Sequence, residues 1–429
     1  MATQSGHVFV RTRNPKTGQS SAAKTFKFQR VPYLQRVIGV CANSTGAFGA
    51  LRVAYRQDPI HVSGKTASQH LATIQPYLHF PVAEGERKVG PELSALSSSG
   101  LSSPTDADDE GEDPSIEKDV QDLEKLFRLL GADKQSRKGP HGYRLFDDVP
   151  LSHGADLMVQ SSSGSEFPGH RVLLAARSPT LCEVLSGMDA TVDAQSRISL
   201  RLASMNKHKS EKSTSSLPRL LIAGCNSMSI LILLNYLYSD VLLSLWDNRI
   251  AVALEHHLRE SRVKPSQVWL ELQALARILD LPKLAEAVQS SAKRVPVPSM
   301  AVDLRRLFQT TETQGIALMK VGSQAQSPLR PDVIIQLKDK AVYCHSVILR
   351  ARSALFAAFF DDPDWSKYRW GEDGTIKLDM TQWDWRVLQF PMRFLCSVCE
   401  SSDELFATLG GLTCFDCEQT LTALFSSLI

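Results

Sequence analysis

Polar and apolar residues alternate at the start of the chain. Thr25-Phe26-Lys27-Phe28 has the period of two that a half-buried strand requires, and His7-Val8-Phe9-Val10 and Arg36-Val37-Ile38-Gly39-Val40-Cys41-Ala42 also read as strands. Asn43-Ser44-Thr45-Gly46 supplies a turn into a further strand over 47–55. Residues 1–82 are therefore expected to be β-rich. The pattern fades over 83–112, where Ser97-Ser98-Ser99-Gly100 and Ser102-Ser103-Pro104 precede six acids between 106 and 113. Such a stretch cannot bury enough apolar area to offset the entropy of ordering, and it reads as a disordered acidic linker. A helical period then begins in a segment spanning 113–143. Val120, Leu123, Leu126, Phe127 and Leu130 share one face, Asp113 caps the helix, Pro114 opens it and Gly131 suits its exit. That face must be buried on the next domain or on a partner.

From 144 onward the apolar pattern is written twice. His170-Arg171-Val172-Leu173-Leu174-Ala175-Ala176-Arg177-Ser178 returns 175 residues later as His345-Ser346-Val347-Ile348-Leu349-Arg350-Ala351-Arg352-Ser353. Each copy follows an Asp and an apolar strand, Asp156-Leu157-Met158-Val159 and Asp332-Val333-Ile334-Ile335. A repeat this long marks two similar domains, not solenoid units. They span 144–295 and 327–429, with a linker over 296–326. In the first copy, strands are expected at 156–160, 198–200 and 220–222, a helix after Phe167, a buried helix over 229–238, and a helix pair within 269–288 broken at Leu281-Pro282. Residues 205–213 read as a solvated basic insertion. The second copy opens in the same way, and Thr375-Ile376-Lys377-Leu378 matches 197–200. Pro391 then falls inside the expected helix and removes a backbone bond, so this copy reads as incomplete. The fold class is α/β (α+β).

Composition narrows the function. A chain of 429 residues holds two or three domains. The 43% apolar and 22% charged fractions are those of a globular protein, and a net charge of +2 gives no drive toward nucleic acid or anionic membranes. Eight unevenly placed cysteines suggest a reducing, intracellular setting in the cytoplasm or nucleus. Residues 1–16 lack the apolar run of a secretion signal. Residues 227–246 are largely apolar, but Asn235 and Asp240 interrupt them into pieces too short to span a bilayer. No phosphate-cradling glycine loop, Ser-His-Asp order or HExxH helix appears, so neither enzyme activity nor a cofactor is expected.

The repeated polar residues read as scaffold. His170 and His345 each follow a strand that enters a helix, where an imidazole can hold the adjoining backbone. Asp156 and Asp332 are expected to form buried polar pairs with the His-bearing turns. Arg177-Ser178 and Arg352-Ser353 read as helix boundaries, with each Ser capping the next helix. The order Asp-strand-turn-His-x-apolar-apolar-Leu-x-Ala-Arg-Ser, followed in the first copy by Leu234-Asn235-Tyr236-Leu237-Tyr238-Ser239-Asp240, resembles the BTB/POZ domain. Arg36-Val37 and Gly46-Ala47-Phe48-Gly49-Ala50-Leu51-Arg52 resemble the last blade of a propeller of the regulator-of-chromosome-condensation type. Together these segments are similar to the inhibitor-of-Bruton's-tyrosine-kinase family and its fungal relatives. The resemblance implies two α/β interaction domains that pair within or between chains. It also implies an adaptor that carries an unknown protein substrate to a cullin-3 ubiquitin ligase. Met188, Val192 and Asp193 in the first copy, and Phe360 in the second, fall where the family places its cullin contact.

A second reading rests on sulfur. Cys396-x-x-Cys399 and Cys414-x-x-Cys417, separated by fourteen residues, approach the spacing of a structural zinc site and would suit a zinc-stabilised chromatin or transcription regulator. Against it, Arg393-Phe394-Leu395-Cys396-Ser397 aligns with Asn235-Tyr236-Leu237-Tyr238-Ser239, which puts Cys396 on a core position.

Overall fold

The structure is a computed structural model that describes residues 2–3, 7–13, 26–32, 37–52, 66–79, 114–138, 145–146, 152–188, 191–193, 196–203, 217–320, 327–371 and 373–397. The chain divides into two compact units, 1–62 and 63–429.

In the first unit, strands β1 (Phe9–Arg13) and β2 (Phe26–Arg30) form one antiparallel hairpin, and β3 (Val37–Ala42) and β4 (Phe48–Arg52) form another. Gly46, at φ 91°, makes the tight turn of the second hairpin possible. The strands match the alternating pattern. A propeller blade is one four-stranded sheet, whereas these strands lie in two separate two-stranded sheets. Phe26, Phe28, Ile38, Phe48 and Leu51 are exposed on them.

The β-rich stretch ends earlier than residue 82. Helix α1 (Ala67–Thr73) opens with a capping box between Thr66 and Gln69, and a 3-10 turn, Pro76–Leu78, follows it. Ala67, Leu71, Ile74 and Tyr77 are buried in the core of the second unit. Helix α2 (Pro114–Lys138) lays Leu123, Leu126, Phe127, Leu129 and Leu130 into the same core. The amphipathic face is therefore covered within the chain. The helix does not exit at Gly131, and Asp113 lies outside the described residues. Asp133 pairs with Arg137 one turn on, and Arg137 donates to the Ser163 carbonyl at 2.7 Å, which ties the extra turns down.

The first copy of the repeat contains β5 (Leu157–Ser161), β6 (Glu166–Gly169), α3 (Arg171–Arg177), α4 (Pro179–Leu185), β7 (Thr191–Asp193), β8 (Ile198–Ala203), β9 (Arg219–Ala223) and α5 (Ser227–Ser239). Four further helices follow: α6 (Asn248–Ala253), α7 (Glu255–Ser261), α8 (Pro265–Ile278) and α9 (Pro282–Ala287). Its sheet has the order β6-β5-β9-β8-β7, with β5 and β9 parallel and the other pairs antiparallel. Leu157, Val159, Leu220 and Ile222 point to one buried face, as the period of two requires. Helix α5 is buried along nearly its whole length, so residues 227–239 are a core helix. Among the described residues, no helix is long and apolar enough to cross a membrane.

Helix α10 (Met300–Lys320) occupies the expected linker. Met300, Leu304, Leu307, Phe308 and Thr311 form a buried stripe at helical spacing that the sequence reading overlooked. Leu307 belongs to the first copy's core and its neighbour Phe308 to the second's, so the helix joins the two.

The second copy contains β10 (Val333–Leu337), β11 (Ala341–Cys344), α11 (Ser346–Arg352), α12 (Ala354–Asp361), α13 (Pro363–Lys367), β12 (Ile376–Met380) and α14 (Trp385–Ser397). Its sheet order is β11-β10-β12. β12 runs parallel to β10, as β9 runs parallel to β5. Residues 376–380 are thus the counterpart of β9 and not of 198–203. Register through the parallel neighbour, not local strand pattern, decides the match. Helix α14 has the same length as α5 and continues through Pro391.

Two helical glycines give predictions of opposite sign. A Cβ on Gly315 of α10 would lie 2.5 Å from the Tyr343 ring, whereas one on Gly131 of α2 meets nothing within 4 Å. Gly315→Ala is expected to cost about 1–3 kcal/mol by overpacking. Gly131→Ala is expected to stabilise by about 0.5–1 kcal/mol through helix propensity. Urea denaturation of both variants checks the signs.

Candidate interaction site

Each copy fixes its first helix with an acid from outside that helix. Asp156 accepts from the Arg171 backbone N–H and from Arg171 Nε, both at 2.8 Å. Asp332 accepts from the Ser346 backbone N–H at 2.7 Å and from the Ser346 hydroxyl. Each carboxylate caps an N-terminus whose own N-cap, His170 or His345, makes no side-chain cap bond. Each Asp thus contacts the His-bearing turn as expected, but the Asp156 pair is not buried. The Asp156 side chain is 41% exposed and pairs with the residue after the histidine.

His170 is buried and committed at both ring nitrogens. Nε2 lies 3.0 Å from the His153 carbonyl and Nδ1 lies 2.7 Å from the Tyr238 hydroxyl. A neutral ring with its proton on Nε2 donates to the carbonyl and accepts from Tyr238, whose oxygen also accepts the His170 backbone N–H at 2.9 Å. Burial lowers the imidazole's pKa from 6.5 to about 4, against opposing contributions from Asp156 and the His153 carbonyl. Burial also raises the Tyr238 phenol. Neither ring nitrogen is left to move a proton for a substrate. In the second copy, His345 Nε2 lies 3.1 Å from the Leu329 carbonyl, and burial lowers its pKa too.

At the position of Tyr238 the second copy has Cys396. It is buried and lines a small cavity with Leu307, Phe308, Thr311, Cys344, His345 and Ile348. Cys399, Cys414 and Cys417 lie outside the described residues. Cys225 and Cys344 are also buried free thiols, and burial beside Glu271 pushes Cys225 up to about 12.

Arg177 lies at the centre of the first copy with 1% of its side chain exposed. Its guanidinium pairs with Asp240, and with Asp303 at 2.7 Å, and donates to the Ser299 hydroxyl at 2.8 Å. Asp240 closes α5 in the left-handed conformation, at φ 59°. Its carboxylate also accepts from the Ser299 and Met300 backbone N–H groups, at 3.2 and 3.0 Å, and from the Ser68 hydroxyl at 3.2 Å. Arg306 donates to Asp303 and to the Ala176 carbonyl, both at 2.9 Å. The Tyr236 ring centroid lies 5.4 Å from the Arg177 guanidinium carbon. Asp240 and Asp303 were not legible as site residues. The first stood only as the end of a motif, and the second lay in the supposed linker.

Ser178 and Ser353 each end one helix and cap the next, accepting from Leu181 N–H at 3.1 Å and Phe356 N–H at 3.4 Å. Arg352 is buried at the end of α11. The two copies pack against each other within the chain: α11 meets α1 and the 3-10 turn Ser152–Gly154. Val347, Ile348 and Ala351 belong to the first copy's core. Gly154, at φ 74°, admits Arg350, whose Nη1 would lie 2.6 Å from a Cβ there.

The residues expected to touch a scaffold are divided. Met188 and Val192 are 60% and 63% exposed, beyond α4 and on edge strand β7 respectively. The Asp193 side chain lies outside the described residues. Phe360 is not a surface residue: it is buried in the second core, stacked on Phe356 with centroids 5.9 Å apart. The helical period of α12 turns it inward.

No family model matches the chain. BTB/POZ domain-containing protein 1 of Schizosaccharomyces pombe is 26% identical to it over 367 residues, 84% of this chain. The chain is similar to a BTB/POZ protein. It spans 23% of that relative's length. The likeness fits the mixed helix-and-strand architecture of both copies.

Two measurements test the polar scaffold. Arg177→Met strands two buried carboxylates and is expected to cost about 3–5 kcal/mol in chemical denaturation, whereas Arg171→Met, at a half-exposed pair, costs less than about 1 kcal/mol. The His170 pKa is lowered on folding, so its contribution is present above pH 6.5 and is lost as pH falls toward about 4. That loss amounts to about 3 kcal/mol. Urea midpoints should fall across this window, and the fall should be smaller in His170→Gln.

Proposed function

We propose that the chain is a non-enzymatic adaptor with two BTB/POZ-type domains in tandem, which brings a protein substrate to a cullin-3-type ubiquitin-ligase scaffold inside the cell. The observation that carries the reading is a division of labour in the first copy. The motif residues His170, Tyr238, Asp156 and Arg177 all bond within the fold. The apolar side chains of Met188 and Val192, in contrast, face solvent. Large exposed apolar side chains on adjoining elements suit recognition by another protein, not turnover of a small molecule. Likeness to a BTB/POZ domain-containing protein supports the same direction. Within this reading, the contact between the copies is an intrachain BTB-type pairing, and the strands of the first unit derive from a propeller blade. Similarity to the inhibitor-of-Bruton's-tyrosine-kinase family belongs to the same proposal.

The test is capture of the full chain by a cullin-3-type scaffold. Met188→Glu and Val192→Arg are each expected to weaken capture at least ten-fold while leaving the thermal unfolding midpoint unchanged, since both positions are exposed. Equal capture of wild type and both variants would remove this surface from the contact, and no capture of wild type would sink the ligase reading.

A further inference from the structure

Helix α7 carries three ligand-type side chains close together. His256, His257 and Glu260 each offer one ligand atom, all within 4.8 Å of one another, the one such group among the described residues. His256 Nδ1 lies 4.0 Å from a Glu260 carboxylate oxygen one helical turn on. His257 is held from outside the helix. Its ring stacks on Phe127 of α2, with centroids 5.5 Å apart and planes at 12°, and stands edge-on to His256 at 5.7 Å. Arg259, on the same turn, is engaged by Glu255.

We propose that His256, His257 and Glu260 bind a divalent transition metal of the zinc class. Two imidazoles and one carboxylate form a nitrogen-rich donor set that favours zinc, copper or nickel over magnesium or calcium. In a tetrahedral centre with bonds of about 2.1 Å, ligand atoms lie about 3.4 Å apart. The His256–Glu260 separation of 4.0 Å and the others, none above 4.8 Å, therefore close by at most about 1.4 Å, within reach of χ rotations of the exposed His256 and Glu260. Stacking on Phe127 has already fixed His257, which lowers the entropy cost of assembling the set. Three protein ligands leave a coordination position open to water or to a donor from another molecule. All three donors lie on α7, so binding would stiffen that helix and hold the His257 ring in its stack on Phe127 of α2. None of the three donors is a cysteine, so the site does not draw on the sulfur of Cys396, Cys399, Cys414 and Cys417.

Equilibrium dialysis of the full chain against zinc at neutral pH tests the site, with His256→Ala and Glu260→Gln as variants. Both positions are exposed, and circular dichroism verifies that the variants fold. Wild type is expected to hold one zinc that each variant binds at least ten-fold more weakly, and zinc is expected to raise the unfolding temperature of wild type alone. Cobalt substituted for that zinc should show no thiolate charge-transfer band. Identical zinc content and affinity in all three proteins would overturn the proposal, as would a thiolate band that both variants retain at full intensity.

Discussion

A guanidinium with 1% of its side chain exposed must be matched by carboxylates, and Arg177 takes two, Asp240 and Asp303. Most of the second unit is arranged by that requirement. Asp240 ends α5, the most deeply buried helix, and its oxygens serve α3 through Arg177, α1 through Ser68, and the N-terminus of α10 through Ser299 and Met300. Four segments far apart in sequence thus meet at one carboxylate. The hydrophobic effect supplies the larger part of the driving force but has no direction. The ion-paired hub is directional, and it sets where α10 begins and which way it runs.

From that fixed start, α10 carries order into the second copy. Asp303 and Arg306 bind its first turns to α3, while Leu307 and Phe308 divide between the two cores. Gly315 then lets the helix close on Tyr343 of β11. Helix α11 returns the contact through Val347, Ile348 and Ala351, which lie in the first copy's core. Among the described residues, the second copy has three strands and the smaller core. It leans on α10 and on its neighbour, as surface-to-volume scaling leads one to expect of a small unit.

Much of this was legible in the sequence, because local rules produced it. Alternation located the strands, the doubled His-to-Ser segment located equivalent strand–helix junctions, and Ser178 and Ser353 read as caps. What escaped depended on distant partners. Asp303 lay in an apparent linker, since the stripe from Met300 to Thr311 is interrupted by charged residues whose partners are far off in sequence. Residues 376–380 resembled 198–200 in pattern, yet pairing with β10 makes them the counterpart of β9. Phe360 stood at a position that suggests contact, but the turn of α12 buries it. The His256, His257 and Glu260 group has no motif spacing to announce it, and the Phe127 ring that holds His257 comes from a helix about 130 residues earlier.

The divergence of the two copies bears on where binding resides. In the first, Tyr238 fills the space beside His170 and satisfies both its backbone N–H and its ring. In the second, the smaller Cys396 leaves a cavity beside His345, and α10 supplies Leu307, Phe308 and Thr311 to line it. Tyr238 thus fills its junction from within the first copy, whereas the junction at Cys396 is completed by α10, whose start the first copy fixes. On the adaptor reading proposed above, the first copy, whose Met188 and Val192 side chains face outward, is the one that would meet another protein.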